Sequence, residues 1–342
     1  MDSDRTEPVS TVRRLVRLDA PRLLRTGATD VRTRWLRFAL LTGMVIVVAY
    51  LLGGSMDAAQ AQVAAQPPSP GLPQDGDLTL ADGAGTVLIG LTVRPAQPGP
   101  NSVLLYVLPL EGGAVAADVP VLLAINGRAV PLEFCSRSCR TAEVSLAGGE
   151  HLDVVAGSPS GGTAGFDLPA LPAADGAGLL QQVQDRMHRL QTYRIDEALG
   201  PASPPLQTSY TFQAPDRMRF DLATGSQTIF VGPTRYTRAD PSSAWQAESI
   251  GVSLPVPSFT WDPHGPAEQP VAARIVGAEE IDGVPAQSVA FFQSAGNTPL
   301  WFRLSADPDG LVHRAAMHGQ GHFMDDHYTD FDAPVAIEPP IP

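Results

Sequence analysis

The periodicity of apolar positions changes three times along the chain, and each change predicts a different element. Residues 38–54 are apolar throughout and uncharged, a length that reaches the short end of a bilayer span and that Ser55 and Met56 can extend. From residue 86 to 168 the apolar residues fall in short or alternating runs at 86–93, 102–108, 119–125, 131–134, 141–146, 151–155 and 163–168, separated by Gly, Pro and Asn. Residues 175–192 then switch to helical spacing, with Leu179, Leu180, Val183, Met187 and Leu190 on one face and Gln181, Gln182, Asp185, Arg186 and Arg189 opposite. Asp175 stands where an N-cap is needed. Beyond the helix a strand period returns in runs at 192–199, 208–213, 217–222, 227–231, 234–238, 271–280, 285–292, 300–304, 311–318 and 322–331. Met218-Arg-Phe-Asp-Leu222 shows the alternation most plainly.

These patterns predict a mainly β protein: an N-terminal transmembrane helix, an immunoglobulin-like β-sandwich, and a long antiparallel meander with a packed helix. The domains follow as a cytoplasmic Arg-rich segment 1–37, a span 38–56, a Pro/Ala/Gln linker 57–84, a sandwich 85–170 and a second ectodomain 175–342. Asn126-Gly127, between two strand-like runs, fits a tight type I′ hairpin. Residues 239–270 break the strand pattern with six Pro yet carry Trp245, Phe259 and Trp261, which reads as a lid or binding loop.

Charge gives the chain a direction. Residues 1–37 hold nine Arg against five acids, so they carry +4 while the remainder carries −17 of the total −13. Arg32, Arg34 and Arg37 precede the apolar run and no base follows until Arg94. The positive-inside bias puts the N-terminus in the cytoplasm of a single-pass cell-membrane protein and the rest outside. Ala59-Gln60-Ala61 also fits a signal-peptidase site, so cleavage there is the rival to an uncleaved anchor. An acidic, dispersed surface argues against nucleic acid, which needs a basic footprint.

Aromatic residues are unevenly placed. Nine of the 12 Phe and three of the four Trp follow residue 195. So much aromatic surface on strands demands either a closed core or an apolar ligand. Phe212, Phe220, Phe230, Trp245, Trp261, Phe291 and Trp301 are the candidates to line such a cavity. Against catalysis, there is no Gly-x-Ser-x-Gly elbow, and Asp325 and Asp326 are adjacent, so on a strand they point to opposite faces. The expectation is a binding protein with no required cofactor, not an enzyme.

Three stretches carry a resemblance: Met187-His-Arg-Leu-Gln-Thr-Tyr-Arg-Ile195, Tyr210-Thr-Phe-Gln-Ala-Pro-Asp-Arg-Met-Arg219 and Tyr328-Thr-Asp-Phe-Asp-Ala-Pro-Val-Ala-Ile-Glu-Pro-Pro340. In this order they resemble the LolA/LppX-like family of envelope proteins over residues 175–342. The resemblance implies an unclosed β half-barrel whose apolar concavity takes a membrane lipid or acylated ligand. More loosely, residues 85–170, with the turn Pro95-Ala-Gln-Pro-Gly-Pro-Asn101, resemble the extracytoplasmic C-terminal domain of CopD-like copper-resistance proteins. That resemblance implies a copper-handling alternative. A third reading is an ectodomain that docks an envelope protein partner.

One histidine-bearing hairpin and the two cysteines are the remaining candidate chemistry. If Gly319-Gln-Gly321 is a three-residue turn, His318 faces His322 and Ala316 faces Met324. His318, His322 and Met324 then form a soft N/S set suited to copper. The same register pairs Arg314 with Asp326. Cys135 and Cys139, the only cysteines, close a tight disulfide loop in an oxidising exterior; as a metal pair they would lack further ligands.

Overall fold

The computed structural model describes residues 71–110, 119–136, 138–157, 161–200, 204–263, 268–295 and 298–341. The Arg-rich segment, the expected span and the first part of the expected linker lie outside the described residues. Among the described residues, no helix is long and apolar enough to cross a membrane.

The first region is a two-layer β-sandwich. Its strands are β1 (Leu78–Ala84), β2 (Val87–Arg94), β3 (Gly99–Pro109), β4 (Val121–Ile125), β5 (Arg128–Val130), β6 (Glu133–Ser136), β7 (Cys139–Leu146), β8 (His151–Ala156) and β9 (Gly162–Asp167). One sheet runs β1-β2-β3-β7-β6 and the other β5-β4-β8-β9. Their inner faces meet in an aliphatic core that includes Ile89, Leu91, Val103, Leu105, Leu123, Leu152 and Val154. The Asn126-Gly127 hairpin forms as read, both residues at positive φ (49° and 75°) between Ile125 and its partner Arg128. Cys135 and Cys139 are bonded to each other across the β6–β7 turn.

One boundary differs from the sequence reading. Strand β1 lies inside the stretch 57–84 taken as a linker. Its polar residues hide it from a hydrophobicity pattern. Thr79 is 1% exposed, yet it is answered by the Leu91 carbonyl (3.1 Å) and by the indole N–H of Trp301 (2.9 Å).

The second region begins with α1 (Ala177–Met187). Asp175 accepts a bond from the Ala177 N–H (3.1 Å), tying down the helix start. Leu180, Val183 and Met187 are its buried face. There follow β10 (Thr192–Leu199), β11 (Leu206–Gln213), β12 (Arg217–Leu222), β13 (Gln227–Val231), β14 (Thr234–Arg238), β15 (Gln246–Ser249), β16 (Val271–Ile281), β17 (Val284–Ala295), β18 (Thr298–Ala306), β19 (Val312–Gly319) and β20 (His322–Thr329). All eleven form one antiparallel sheet in the order β15-β14-β13-β12-β11-β10-β20-β19-β18-β17-β16. Its two edges, β15 and β16, are not paired with each other, so the sheet is an unclosed half-barrel.

The two regions share a dry seam. Trp301, 1% exposed, leaves the half-barrel and packs with Leu88, Tyr106, Leu110 and Phe292. Its ring sits over Gly90, where a Cβ would lie 2.3 Å from the indole. Only glycine leaves room for a tryptophan at that distance. Arg274 adds a hydrogen bond from its Nε to the Asp77 carbonyl (3.1 Å).

Candidate functional site

Strand alternation assigns one face of the half-barrel to the interior, and the ladder registers order it in rows. One row runs Phe291, Phe302, Met317, Met324, Leu199, Leu206. The next runs Val289, Leu304, Ala315, Asp326, Glu197, Thr208, Leu222. Then come Tyr328, Ile195, Tyr210, Phe220, Thr228, and beyond them Tyr193, Phe212, Met218, Phe230. Helix α1 covers this concave face at one end.

The Pro-rich stretch 239–270 covers more of it. Val256, Phe259 and Trp261 are buried against Tyr193, Tyr328 and the helix. Phe259 stacks on Trp261 at 4.7 Å and 5°, and both rings approach Tyr328. The loop is tethered at defined points: Gln293 Nε2 donates to the Trp261 carbonyl (2.8 Å), and His188 Nε2 meets Asp262 Oδ2 at 3.2 Å on the far side. The same stretch also contributes the exposed edge strand β15.

Past this cover the concave face is less enclosed. Tyr210, Phe212, Met218, Phe220 and Leu222 on β11 and β12 are only half-buried. They form a continuous aromatic ribbon, with Tyr193–Phe212 stacked at 4.4 Å, Tyr210–Phe220 at 5.7 Å and Phe220–Phe230 at 6.2 Å.

The structure therefore brings five of the seven candidate lining residues, Phe212, Phe220, Phe230, Trp261 and Phe291, to the concave face. Trp245 and Trp301 stand on the other. Trp301 shares the seam described above, and Trp245 packs with Ile229, Tyr236 and Ile337 under the Arg238 guanidinium (4.6 Å). Trp301 is one residue out of phase with its inward-facing strand neighbours Leu300 and Phe302, a parity that aromatic content alone does not reveal, and Trp245 precedes β15 outside the ladders.

The histidine hairpin corrects a register. Its turn is the two-residue Gln320-Gly321, with Gly319 opposite His322, His318 opposite Phe323 and Met317 opposite Met324. The one-residue slip sends His318 and Met324 to opposite faces. His318 packs on Phe323 (ring centroids 4.6 Å) beside β1, where burial lowers its pKa. Met324 joins the interior core. The expected His318, His322 and Met324 set is thereby divided, and among the described residues no group of three or more His, Cys, Asp or Glu is placed to hold a metal.

The same slip creates a feature absent from the sequence reading. Arg314 binds Asp325 in a two-pronged pair (2.7 and 2.8 Å) on the convex side, not Asp326. Asp326 instead turns inward and lies opposite Glu197 in the β10–β20 ladder. Glu197 is 5% and Asp326 3% exposed. Glu197 accepts from the Tyr210 hydroxyl (2.8 Å) and Asp326 from the Tyr328 hydroxyl (3.3 Å). Burial raises the pKa of both carboxyls, for Asp326 well above the usual range, with the facing Glu197 charge adding to it. The detectable signal was Glu197 in an otherwise amphipathic strand, at an inward position.

These elements define an unclosed antiparallel half-barrel with an aromatic concave face, a helix and a loop lying in its mouth, and a buried acid pair within. The chain is similar to the solved structure of LprF from Mycobacterium bovis, with TM-score 0.35 and 15% identity over 49% of this chain and 99% of that one. It is also similar to the lipoprotein LppX of Mycobacterium tuberculosis, with TM-score 0.34 and 12% identity over 47% of this chain and 97% of that one. No family model and no curated protein matches the chain.

Proposed function

We propose that this protein is a non-catalytic, membrane-anchored component of the cell envelope that binds a lipid or acylated ligand on the concave face of its half-barrel. One observation carries the reading: the aromatic ribbon Tyr210, Phe212, Phe220 continues beyond the cover of α1 and the Trp261 loop, half-buried where a finished core would be closed, and ends on the buried Phe230. Apolar surface of that extent on one concave face suits an acyl chain. In this reading the Trp261 loop is the lid over the concavity, held by hydrogen bonds to His188, Gln293, Tyr193 and Pro215. The sandwich is joined to the half-barrel through Trp301, and the membrane anchor of this reading is the one expected at residues 38–56.

The test is photolabelling in native membranes. Cells making the full chain are fed a fatty acid with a diazirine in its chain, irradiated, and the labelled peptides are mapped by mass spectrometry. Labels on the peptides holding Phe212, Phe220 and Phe230 support the carrier. Labels confined to residues 38–56 would overturn it.

A further inference from the structure

The interior of the half-barrel holds two polar orphans in the middle of its aromatic core. Asp326 Oδ1 is buried and accepts no hydrogen bond among the described residues. The indole Nε1–H of Trp261, a residue 0% exposed, donates none. Tyr328 borders both: its hydroxyl bonds the other Asp326 oxygen, and its ring lies 5.5 Å from that of Trp261. An unanswered buried acceptor and an unanswered buried donor each carry a desolvation cost, on the order of 1–3 kcal/mol for such groups. Two buried orphans of opposite kind whose residues both contact one tyrosine are not what a core built only for stability retains.

The surroundings exclude a simple ion pair. The ladder neighbours of Glu197 and Asp326 on this face are Ala315, Thr208, Met324, Leu199, Ile195 and Tyr328, none of them cationic. Arg314 is committed to Asp325 on the opposite face. A phosphate or carboxylate head entering here would meet two carboxyls and no counter-charge. An ammonium head could donate to the acids but could not accept from the Trp261 N–H. A hydroxyl does both at once.

We propose that Glu197, Asp326 and the Trp261 indole form a polar subsite inside the half-barrel, and that it takes a neutral lipid presenting free hydroxyl groups. The proposal rests on the carrier reading above and makes it specific. The hydroxyl donates to Asp326 Oδ1 and accepts from the Trp261 N–H, while the acyl chain lies along Tyr210, Phe212 and Phe220. Discrimination against acidic lipids comes from the acid pair, as a pocket carrying unpaired groups rejects a ligand that cannot satisfy them.

Three photoactivatable probes of one chain length test it on the full chain in lipid nanodiscs: a monoacylglycerol, the matching fatty acid and the matching alkylamine. Labelling of half-barrel peptides against probe concentration gives each Kd. The expected result is a monoacylglycerol Kd about tenfold below the other two. In Asp326→Asn, and separately in Trp261→Phe, which keeps the ring and removes the N–H, that advantage shrinks to about threefold or less. The fatty acid should label both variants at least as well as the parent, which shows that they remain folded. Equal labelling by all three probes in the parent would overturn the hydroxyl subsite and leave the carrier standing. A preference for the amine would overturn it in favour of a cation site. Absence of half-barrel labelling by every probe would overturn subsite and carrier together.

Discussion

In the sandwich, the buried Asp77, Asn101, Thr79 and Thr92 are answered, and the Tyr106 hydroxyl at the seam with the half-barrel is the exception. Asp77 takes the Arg94 guanidinium on both oxygens (2.9 and 2.6 Å), Asn101 bonds the backbone of its own turn at Ala96, Gln97 and Gly99, and Thr79 and Thr92 bond each other. The rest of that core is aliphatic apart from Phe166. The half-barrel is built otherwise. Its core mixes aromatic with aliphatic side chains, it buries Glu197 and Asp326 without a cation, and it leaves an indole N–H unanswered. Both cores are buried, so the difference is one of purpose: the first is finished within the chain, whereas the second retains polar capacity that the chain alone does not satisfy.

The largest expected effect tests that seam. Trp301→Ala should destabilise the protein by about 3–5 kcal/mol, the range for deleting a buried large aromatic. If the seam couples the two regions, urea unfolding followed by circular dichroism should shift as one transition. Two transitions, with the sandwich midpoint unmoved, would break the picture of a joined pair. Gly90→Ala approaches the same contact from the other side. Its Cβ would fall 2.3–2.8 Å from three indole atoms that cannot retreat, and about 1–3 kcal/mol of overpacking strain should follow. Combined with Trp301→Ala, Gly90→Ala should cost almost nothing more, because the clash partner is gone.

Much of this arrangement was legible in the sequence. Helical and strand periods located α1 and ten of the eleven strands of the meander, missing β15 within the stretch read as a loop, and Asn126-Gly127 fixed its hairpin. The face assignments were not legible. Trp301 has the same composition signal as Phe212 or Phe230, and only the ladder parity separates it from them. The histidine hairpin failed for a related reason: Gly319-Gln-Gly321 allows a two- or a three-residue turn, and one residue of slip exchanges every side chain between faces. Strand β1 was hidden because its buried Thr79 is polar, and its partner Trp301 lies 222 residues away. Such long-range pairings leave no local trace. The acid pair combines both difficulties, since Glu197 and Asp326 meet only through the β10–β20 ladder.

The same chemical change in the two cores should have opposite signs. Asp77→Asn leaves Arg94, whose pKa the Asp77 carboxylate raises through a direct hydrogen bond, without its charge partner. A loss of about 2 kcal/mol is expected in urea unfolding at neutral pH, below the cost of breaking a fully buried pair because the Arg94 side chain is 29% exposed.

Asp326→Asn removes an acid that burial holds protonated-prone beside Glu197 and should gain stability on the order of 1 kcal/mol at neutral pH. The sign follows from linkage. Glu197 and Asp326 both have raised folded-state pKa values, so above about pH 4, where unfolded carboxyls ionise, the folded state binds more protons than the unfolded one. Their stabilising contribution is complete below that pH and is lost as pH rises through the folded values. The groups facing the pair, Tyr210 on β11 and Tyr328 on β20, have hydroxyl pKa values that burial raises well above the usual, so they stay neutral throughout this window. Asp325, the remaining nearby acid, raises the Asp326 pKa further from the other face. Stability measured by urea unfolding should therefore decline from mildly acidic to alkaline pH in the parent and decline less in Asp326→Asn. Parallel profiles for the two proteins would show that Asp326 is not the buried proton acceptor that distinguishes the half-barrel from the sandwich.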